Sequence, residues 1–283
     1  MHLAGVVVLY NPDKEVIENI KSYIKDLDVL YAIDNSSNNN SNIFSFDRIE
    51  YIPLMENKGI AEALNIAADK AINNGYKYLL TMDQDSKFNS NGLTEMKLFI
   101  ENDTQKGKVG IYSPFHKTAI SDPVPNEKYS SPLVIMTSGN IINLNIYKKI
   151  EGFKSWMFID CVDFEYGLNL RKHGYDIKRI NTIFLEHELG DYEIKEIFGK
   201  KIICDNHSPL RRYYIVRNSF YLYDMYHNLY PDYCTAVISE VKRSFFYATV
   251  FEKQGVKKLI FMLRGYLDYK KRKKGKYHRK HIK

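Results

Sequence analysis

Cysteine is scarce in this chain, which has three among 283 residues. Cys161, Cys204 and Cys234 are widely spaced and form no CxxC pair or other spacing typical of a metal site. Disulfide frameworks need paired cysteines in an oxidising compartment, so an odd and scattered set argues against one. The cysteine pattern therefore predicts a protein of the reducing cytoplasm.

Long apolar runs are also lacking. No stretch reaches the roughly 18 apolar residues that a membrane-spanning helix needs, and the apolar run at residues 259–263 ends at Arg264. The chain starts directly with a strand-like run, without the charged, apolar and small-residue order of a signal peptide. We therefore expect neither a membrane span nor export.

Acidic residues are nearly absent from the C-terminal end. Residues 257–283 contain twelve lysines and arginines against one acid, Asp268, in a chain of net charge +7. The rest of the chain therefore carries a net charge of −4. A basic segment of this kind suits anionic lipid or nucleic acid, and the alternative is a solvated end without a partner.

What the sequence does contain is an alternation of strand and helix patterns. Hydrophobic residues make up 45% of the chain, which is enough for a sizeable core. A continuous apolar run at residues 3–10 predicts a buried strand, and further strands are predicted at residues 29–33, 49–54 and 76–82. Residues 60–73 are alanine-rich and have helical spacing. This alternation predicts an α/β fold with a mostly parallel sheet covered on both faces.

The second part of the chain is less regular. Short strands are expected at residues 109–113, 133–137 and 183–185. A helix is expected at residues 164–173, and the chain from His207 onward has the pattern of several helices. We place a boundary near residues 200–206.

Polar side chains follow three of the predicted strands where each ends: Tyr10 and Asn11, Asp34 and Asn35, and Asp83, Gln84 and Asp85. Ligands of α/β sheets bind beyond the carboxyl ends of the strands, so these clusters indicate a binding site. Two carboxylates at i and i+2 offer hard oxygen ligands for Mg²⁺ or Mn²⁺, and such a metal usually also holds a diphosphate. An acidic pair alone is weak evidence, because such pairs are common in turns.

Six motifs occur in order along the chain: VVVLYNP, IDNSS, NKGIAEALN, MDQDS, SGN and FIDCVDFEYGLNLRKHGY. Together they resemble family 2 glycosyltransferases of the GT-A fold over roughly residues 3–220, and look most like the bacterial rhamnosyltransferases that use dTDP-L-rhamnose. The resemblance implies a Rossmann-like fold with a mixed, mostly parallel sheet. It implies a catalytic domain at residues 1–205, with a nucleotide-sugar half at about 1–105 and an acceptor half at about 106–205, followed by a basic helical region at 206–283.

The resemblance also implies a donor site. It places the nucleoside at Tyr10, Asn11, Asp34 and Asn35, and packs the third motif against the donor through Asn57, Gly59, Ala63 and Asn65. It places the diphosphate and its metal at Asp83, Gln84 and Asp85, and the donor sugar and acceptor at Ser138, Gly139 and Asn140. A glycine without a Cβ at position 139 would let the backbone approach a ligand closely.

Two arginines match a further stretch of the rhamnosyltransferases. Arg212 and Arg217 lie in RRYYIVRN, and a guanidinium fork suits anionic oxygens. The resemblance therefore implies that they reach donor or lipid-acceptor phosphates. The alternative is a helix that packs its tyrosines against the catalytic domain.

The last motif carries the expected catalytic base. Aligning LNLRKHGY with the family's corresponding helix places the family's aspartate on Asp163, with Val162 where the family usually has another acid. Asp160 is the second candidate, because it lies one step outside the pattern. An inverting transfer needs a carboxylate within hydrogen-bond reach of the acceptor hydroxyl, to take its proton. The alternative is that Asp163 and Glu165 only cap the helix and favour its dipole.

A histidine follows at the end of a predicted strand. In related galactofuranosyltransferases a histidine at this separation from the base completes the metal site, and here the match is His187. Imidazole is an acceptable Mn²⁺ ligand beside carboxylates. The resemblance thus implies Mg²⁺ or Mn²⁺ held by Asp83, Asp85 and His187, and a structural histidine is the alternative.

The expected function is an inverting glycosyltransferase that moves L-rhamnose from dTDP-L-rhamnose to a saccharide or lipid-linked saccharide of a bacterial capsule, O-antigen or cell wall. UDP-galactofuranose or a UDP-hexose is the alternative donor. A nucleotidyltransferase would usually show a glycine-rich, basic loop after the first strand, where this chain has LYNPDKE. A nucleic-acid binder is disfavoured by the acidic body of the chain.

The C-terminal region also predicts membrane contact. Its basic residues are mixed with the apolar side chains Phe245, Phe246, Phe251, Leu259, Phe261 and Leu263. Aromatic and basic residues on helices are typical of segments that lie on a membrane surface. We expect a cytoplasmic protein on the inner face of the membrane, and the alternative is a helical end that packs or forms a homo-oligomer.

Overall fold

The computed structural model describes residues 1–44, 46–118, 123–187, 193–197 and 200–278. The chain folds into two compact units. Unit 1 consists of Met1–Lys154 and Asp163–Glu188, and unit 2 consists of Ser155–Val162 and Leu189–Lys283. Unit 2 therefore includes a short segment from the middle of the chain.

Unit 1 is built on one mixed sheet. Its strands are β1 (Ala4–Leu9), β2 (Val29–Asp34), β3 (Ile49–Pro53), β4 (Tyr78–Asp83), β5 (Ser86–Phe88), β6 (Val109–Lys117), β7 (Tyr129–Ser130), β8 (Asn140–Asn143) and β9 (Asp176–His187). Strands β3, β2, β1 and β4 lie side by side and run parallel. Strand β8 is antiparallel to β4 and β6, β9 is parallel to β6, and β5 and β7 pair antiparallel with β9. The predicted α/β fold with a mixed, mostly parallel sheet is confirmed.

Five helices belong to the same part of the chain: α1 (Glu15–Lys21), α2 (Ile60–Asn73), α3 (Gly92–Asn102), α4 (Leu144–Lys149) and α5 (Val162–Lys172). The longest, α2, begins and ends where the sequence predicts it. It packs on β1 and β2 with a face made mostly of alanine: Ala61, Ala63, Leu64, Ala67, Ala68 and Ala71. Alanine favours the helix and its small side chain lets the helix approach the sheet closely.

The strand predicted at residues 133–137 does not form. This apolar run instead packs against α5, with Ile135 buried and the other four residues half-buried. A Cβ added to Gly167 of α5 would lie 3.2 Å from the Cα of Val134. Arg171 of α5 also donates a hydrogen bond of 2.6 Å to the carbonyl of Pro132. A short apolar run shows only that its side chains are buried, and here a helix rather than a neighbouring strand covers them.

The strand predicted at residues 183–185 is the end of the much longer β9. Polar residues interrupt the apolar pattern in the first part of β9, and Lys178 among them is buried. Its ammonium donates to both carboxylate oxygens of Asp103, at 2.9 and 2.7 Å. A buried lysine needs such a partner, and the sequence pattern alone does not reveal that Asp103 supplies it.

Unit 2 is mainly helical. It contains the hairpin of β10 (Glu193–Ile197) and β11 (Lys200–Cys204), followed by α6 (Pro209–Tyr226), α7 (Pro231–Val250) and α8 (Gly255–Lys270). Helices α6 and α8 approach closely at Gly265. A Cβ added to Gly265 would lie 2.5 Å from the carbonyl oxygen of Tyr213, so only a glycine fits there. Within the described part of the chain, no helix combines the length and the apolar character needed to cross a membrane.

Candidate active site

The register of the sheet brings the predicted polar clusters to one edge. Leu9 at the end of β1 lies opposite Asp34 at the end of β2, and Val8 lies opposite Asp83 at the end of β4. Because the three strands are parallel, their carboxyl ends and the loops that follow them meet at the same edge. The sequence predicted that these polar residues lie close together. The pairing of β1 with β2 and β4 in unit 1 brings the strand ends that carry them to one edge.

The loops at this edge are bonded to one another. The backbone N–H of Tyr10 donates to Oε1 of Gln84 at 2.9 Å, and the N–H of Asn11 donates to Oγ of Ser36 at 2.7 Å. Asn11 holds a left-handed backbone, at φ 47°. The Tyr10 ring is 54% exposed, so its face is accessible for a base or sugar to stack on.

Asp34 is fully buried and holds the loop that follows it. Its carboxylate accepts hydrogen bonds from the N–H of Ser36, the amide of Asn40 and the hydroxyl of Tyr51, at 2.7–2.8 Å. Burial alone would raise the pKa of Asp34, but these hydrogen bonds outweigh it and lower the pKa. The carboxylate is therefore charged at neutral pH and positions the polar loop beside the site.

Asn35 connects the same edge to the start of α2. Its amide donates to the carbonyl of Gly59 at 3.2 Å and accepts from the N–H of Lys58 at 3.1 Å. Asn57 accepts from the N–H of Gly59 at 2.9 Å, where the backbone has φ 89°. These bonds shape the turn that the third motif encodes.

Asn65, in contrast, has a different set of partners. It donates to the carbonyl of Phe153 at 2.8 Å and accepts from the Tyr147 hydroxyl at 2.6 Å. The neighbouring Ala63 of α2 is fully buried. Both residues act in the packing of α2 in this structure, and their predicted contact with the donor stays a prediction.

The acidic pair lies at the end of β4. Asp83 is half-buried, and its N–H donates to the Ser138 hydroxyl at 3.1 Å. Asp85 is exposed, two residues further along the turn. The next residue, Ser86, pairs with His187 at the end of β9, and the side chain of His187 lies outside the described part of the structure.

These residues fit a metal that is shared with a substrate. Among the described residues, no three histidine, cysteine or acidic side chains are grouped closely enough to hold a metal by themselves. Mg²⁺ and Mn²⁺ suit carboxylate oxygens, and Mg²⁺ commonly uses one or two carboxylates together with substrate phosphates and water. Asp83 and Asp85 offer such a pair, so the donor set matches an ion that arrives with a diphosphate.

The turn at residues 138–140 lies beside the acidic pair. The N–H of Gly139 donates to the carbonyl of Thr81 in β4 at 2.7 Å. The amide of Asn140 donates to the carbonyl of Met136 at 2.7 Å. Asn140 is buried, and no described residue donates a hydrogen bond to its Oδ1. A buried oxygen without a donor costs about 1–3 kcal/mol, and the predicted contact of Asn140 with the donor sugar stays a prediction.

Gly139 is needed for packing, and its predicted close approach to a ligand stays a prediction. An added Cβ would lie 2.9 Å from both Leu185 Cδ2 and Pro114 Cγ, and the backbone has φ 76°. We expect Gly139→Ala to lower the free energy of unfolding by about 2–4 kcal/mol, from left-handed strain and overpacking together. Urea unfolding measures this.

The matched control is Gly75→Ala. Gly75 has φ 83° but nothing within 4 Å of the added Cβ, so this change isolates the backbone strain, about 1–2 kcal/mol. Equal losses at the two positions would contradict the packing role of Gly139.

His116 contributes to the site, although it was not among the site residues predicted from the sequence. It is buried in β6, and its Nε2 lies 2.7 Å from the carbonyl oxygen of Ser138. It therefore supports the turn that contacts Asp83. The only signal in the sequence was a histidine inside the apolar run VGIYSPFHK, and a lone histidine of this kind is usually structural.

Asp163 lies in the first turn of α5, in unit 1. Its carboxylate is half-buried and accepts a hydrogen bond from the N–H of Phe164 at 2.9 Å. Glu165, one step further along, is fully buried. The structure therefore leaves Asp163, of these two acids, the more accessible to an acceptor.

Asp160 lies in unit 2 and is engaged there. Its carboxylate forms an ion pair with Arg211, with an N–O distance of 3.0 Å. Burial raises the pKa of Asp160, and the Arg211 charge opposes that rise. The backbone around it is strained, because Phe158, Asp160 and Cys161 all have φ between 62° and 70°. Asn218 holds this loop by donating to three carbonyls, those of Met157, Ile159 and Asp160.

The two predicted phosphate-binding arginines are buried in unit 2. Arg212 pairs with Glu252, and its guanidinium also lies 3.7 Å from Asp205. Arg217 donates to the carbonyls of Trp156, Met157 and Gly275, at 2.6–3.2 Å. Both guanidinium groups thus hold unit 2 together, and their predicted contact with a phosphate stays a prediction.

A separate cleft of about 630 Å³ lies in unit 1. It is lined by α3, the turn that follows α3 and the first half of β9, including Phe99, Asp103, Tyr129 and Lys178. None of its lining residues is a predicted site residue. The candidate site at the strand ends is therefore separate from this cleft.

Comparisons with known proteins give evidence about the family and the fold. Residues 6–135 match the model of the family "Glycosyl transferase family 2". The dTDP-rhamnosyl transferase RfbF of Shigella flexneri is 27% identical over 238 residues, which cover 78% of this chain and 79% of that protein.

Solved structures share the fold at lower identity. S. aureus TarS 1-349 in complex with UDP-GlcNAc has a TM-score of 0.60 and 14% identity, over 95% of this chain and 81% of that one. GalNAc-T7 with UDP, GalNAc and Mn²⁺ has a TM-score of 0.58 and 12% identity, over 96% of this chain and 56% of that one. The sheet order, the strand-end residues and these similarities lead to one conclusion: residues 6–135 form a domain of glycosyl transferase family 2, and the chain has the GT-A fold.

Proposed function

We propose that this glycosyltransferase transfers L-rhamnose from dTDP-L-rhamnose to a saccharide acceptor during synthesis of a bacterial surface polysaccharide. The donor follows from the relative that is a dTDP-rhamnosyl transferase. The acceptor class follows from the resemblance of the motifs. The observation that carries the proposal is the register that joins the ends of β1, β2 and β4 at one edge.

The donor would lie along this edge. The exposed Tyr10 ring and the loop fixed by Asp34 would receive the nucleoside. Asp83 and Asp85 would hold Mg²⁺ or Mn²⁺, which when bound would neutralise charge on the departing diphosphate. Neighbours of the same fold were solved with UDP-GlcNAc, and with UDP and Mn²⁺, which supports a nucleotide-sugar donor.

The acceptor hydroxyl would lose its proton to Asp163. A carboxylate in the first turn of a helix is held in a defined position, since its oxygen also accepts from the Phe164 N–H. The acceptor oxygen would attack the anomeric carbon on the face opposite the diphosphate. The new C–O bond would form as the bond to the diphosphate breaks, so the anomeric configuration would invert, and Asp163 would keep the proton of the acceptor hydroxyl.

A donor panel tests this function. We expect the purified chain with Mg²⁺ or Mn²⁺ to release nucleoside diphosphate faster from dTDP-L-rhamnose than from UDP-galactofuranose or UDP-glucose. Chelation of the metal should lower the rate at least about 100-fold, because several kcal/mol of charge stabilisation would be lost. Asp85→Asn should have a similar effect, whereas Asp69→Asn, a change at another exposed aspartate, should not.

Other outcomes would decide against specific parts of the proposal. A faster reaction with a UDP-sugar would show that the donor is this UDP-sugar and not dTDP-L-rhamnose. Transfer from a UDP-sugar is the second candidate function. Consumption of added pyrophosphate, with formation of a nucleoside triphosphate and a sugar 1-phosphate instead of nucleoside diphosphate, would indicate a nucleotidyltransferase. If the rate is unchanged in the presence of chelator, the transfer does not need Mg²⁺ or Mn²⁺, and that part of the proposal is wrong.

A further inference from the structure

Helix α8 carries an exposed apolar stripe. Four side chains form it, at exposures from 44% to 71%: Val256, Ile260, Leu263 and Leu267. Their spacing of four, three and four residues places them within about 60° of one another around the helix, at 100° per residue. The opposite face of α8 is buried in unit 2.

A continuous stripe of this kind needs an explanation. Single exposed apolar residues are normal on a protein surface, but an aligned set marks a contact surface. Helix α7 adds two further exposed side chains one turn apart, Phe246 and Val250. The arrangement differs from the expectation from sequence, because Phe245 and Phe261 pack within unit 2, against two clusters of buried residues.

The residues that flank the stripe are positively charged. By helical position, Lys257, Arg264 and Lys271 lie along one side of it and Lys270 along the other, and all four are exposed. The one acid of α8, Asp268, is occupied by the Tyr213 hydroxyl at 3.0 Å and by Lys273 at 2.6 Å. The surface therefore combines apolar side chains with a cationic margin.

We infer that α8 lies flat on an anionic lipid surface. The apolar side chains would enter the boundary between headgroups and acyl chains, and the flanking lysines and arginine would contact the anionic headgroups. A second copy of the chain suits the stripe less, because two such helices would bring like charges together. Nucleic acid would contact the cations but would leave the apolar stripe in water.

The test is sedimentation of the full chain with vesicles. One set contains phosphatidylcholine alone, and the other contains equal parts of phosphatidylcholine and phosphatidylglycerol. We expect binding to the mixed vesicles only, at low salt. Leu263→Asn combined with Leu267→Asn should weaken this binding at least tenfold, and Lys257→Gln combined with Lys271→Gln should weaken it severalfold and reduce its salt dependence.

The matched control is Leu98→Asn. Leu98 lies in α3 of unit 1 and is 54% exposed, close to the exposure of Leu267, so it should leave vesicle binding unchanged. Circular dichroism should show that all variants keep their helices, because the changed side chains are exposed. The assay contains no sugar donor, so its result is independent of the proposed transfer.

Three results would overturn the inference. The first is that the parent chain binds neither set of vesicles, or binds duplex DNA in preference to them. The second is that the double asparagine variant binds the mixed vesicles as tightly as the parent chain. The third is a dimer of the parent chain in size-exclusion chromatography that the double asparagine variant abolishes, which would assign the stripe to a second copy.

Discussion

Replacing Asp163 by asparagine is expected to lower turnover by about 10²–10⁴-fold while leaving nucleotide binding nearly unchanged. Asparagine keeps an oxygen that can accept the Phe164 N–H, so the first turn of α5 should be preserved. It cannot take the proton of the acceptor hydroxyl. The measurement is the rate of transfer at saturating donor, together with the affinity for nucleoside diphosphate by calorimetry.

Asp160→Asn is the comparison that distinguishes the two candidate bases. Asp160 is ion-paired with Arg211 inside unit 2, so its loss should affect the strained loop and the stability of unit 2 more than the proton transfer. We expect a modest loss of turnover, with a lowered melting temperature. Near-normal turnover of Asp163→Asn together with an inactive Asp160→Asn would reverse the assignment of the base.

Glu252→Ala is expected to have the largest effect on stability. The Glu252 carboxylate is buried between two buried cations: it accepts from Arg212 and from Lys258, the latter at 2.7 Å. Removing one partner of a buried ion pair leaves an uncompensated charge and costs about 3–5 kcal/mol. Here two cations would remain and Asp205, 3.7 Å from Arg212, would offset part of their charge, so we expect a loss within this range in urea unfolding.

The charges around this cluster already act on its neighbours. Burial lowers the pKa of His207 to about 3, and the nearby charges of Arg211, Arg212 and Lys258 add to that effect. His207 is therefore neutral at physiological pH. Without Glu252, the excess of positive charge would be greater, which is the physical reason for the expected loss.

A matched control tests whether burial is the cause. Glu240 on α7 pairs with Arg243 at 2.7 Å, with both side chains more than 60% exposed. Exposed pairs contribute about 0–1 kcal/mol, so Glu240→Ala should change the free energy of unfolding by less than about 1 kcal/mol. Similar losses for the two variants would contradict the role of the buried cluster.

Rescue provides a second check on the same cluster. Replacing Glu252, Arg212 and Lys258 together by leucine and methionine removes all three charges and keeps the buried volume. Because buried ion pairs can be replaced by packed apolar residues at little cost, this variant should regain most of the lost stability. A triple variant as unstable as Glu252→Ala would show that shape, and not charge, is the requirement.

The elements that sequence predicted well share one property: their pattern is local. The apolar runs that form β1 to β4 and the alanine-rich α2 are recognisable within a single window. The acidic pair after β4 is likewise local, and parallel strands bring their ends to one edge without further information. The strand expected at residues 133–137 failed because burial against α5 and burial in a sheet give the same apolar pattern.

The chain's sequence by itself determined the class of fold, the strand-end polar residues and the concentration of positive charge near the C-terminus. Only the tertiary structure decided which partner each buried polar group has: Lys178 with Asp103, and Arg212 with Glu252. It also decided which apolar side chains of α8 face outward. The physical reason is that packing and ion pairs join residues far apart in the chain, and their energies depend on burial and distance, which no local pattern records.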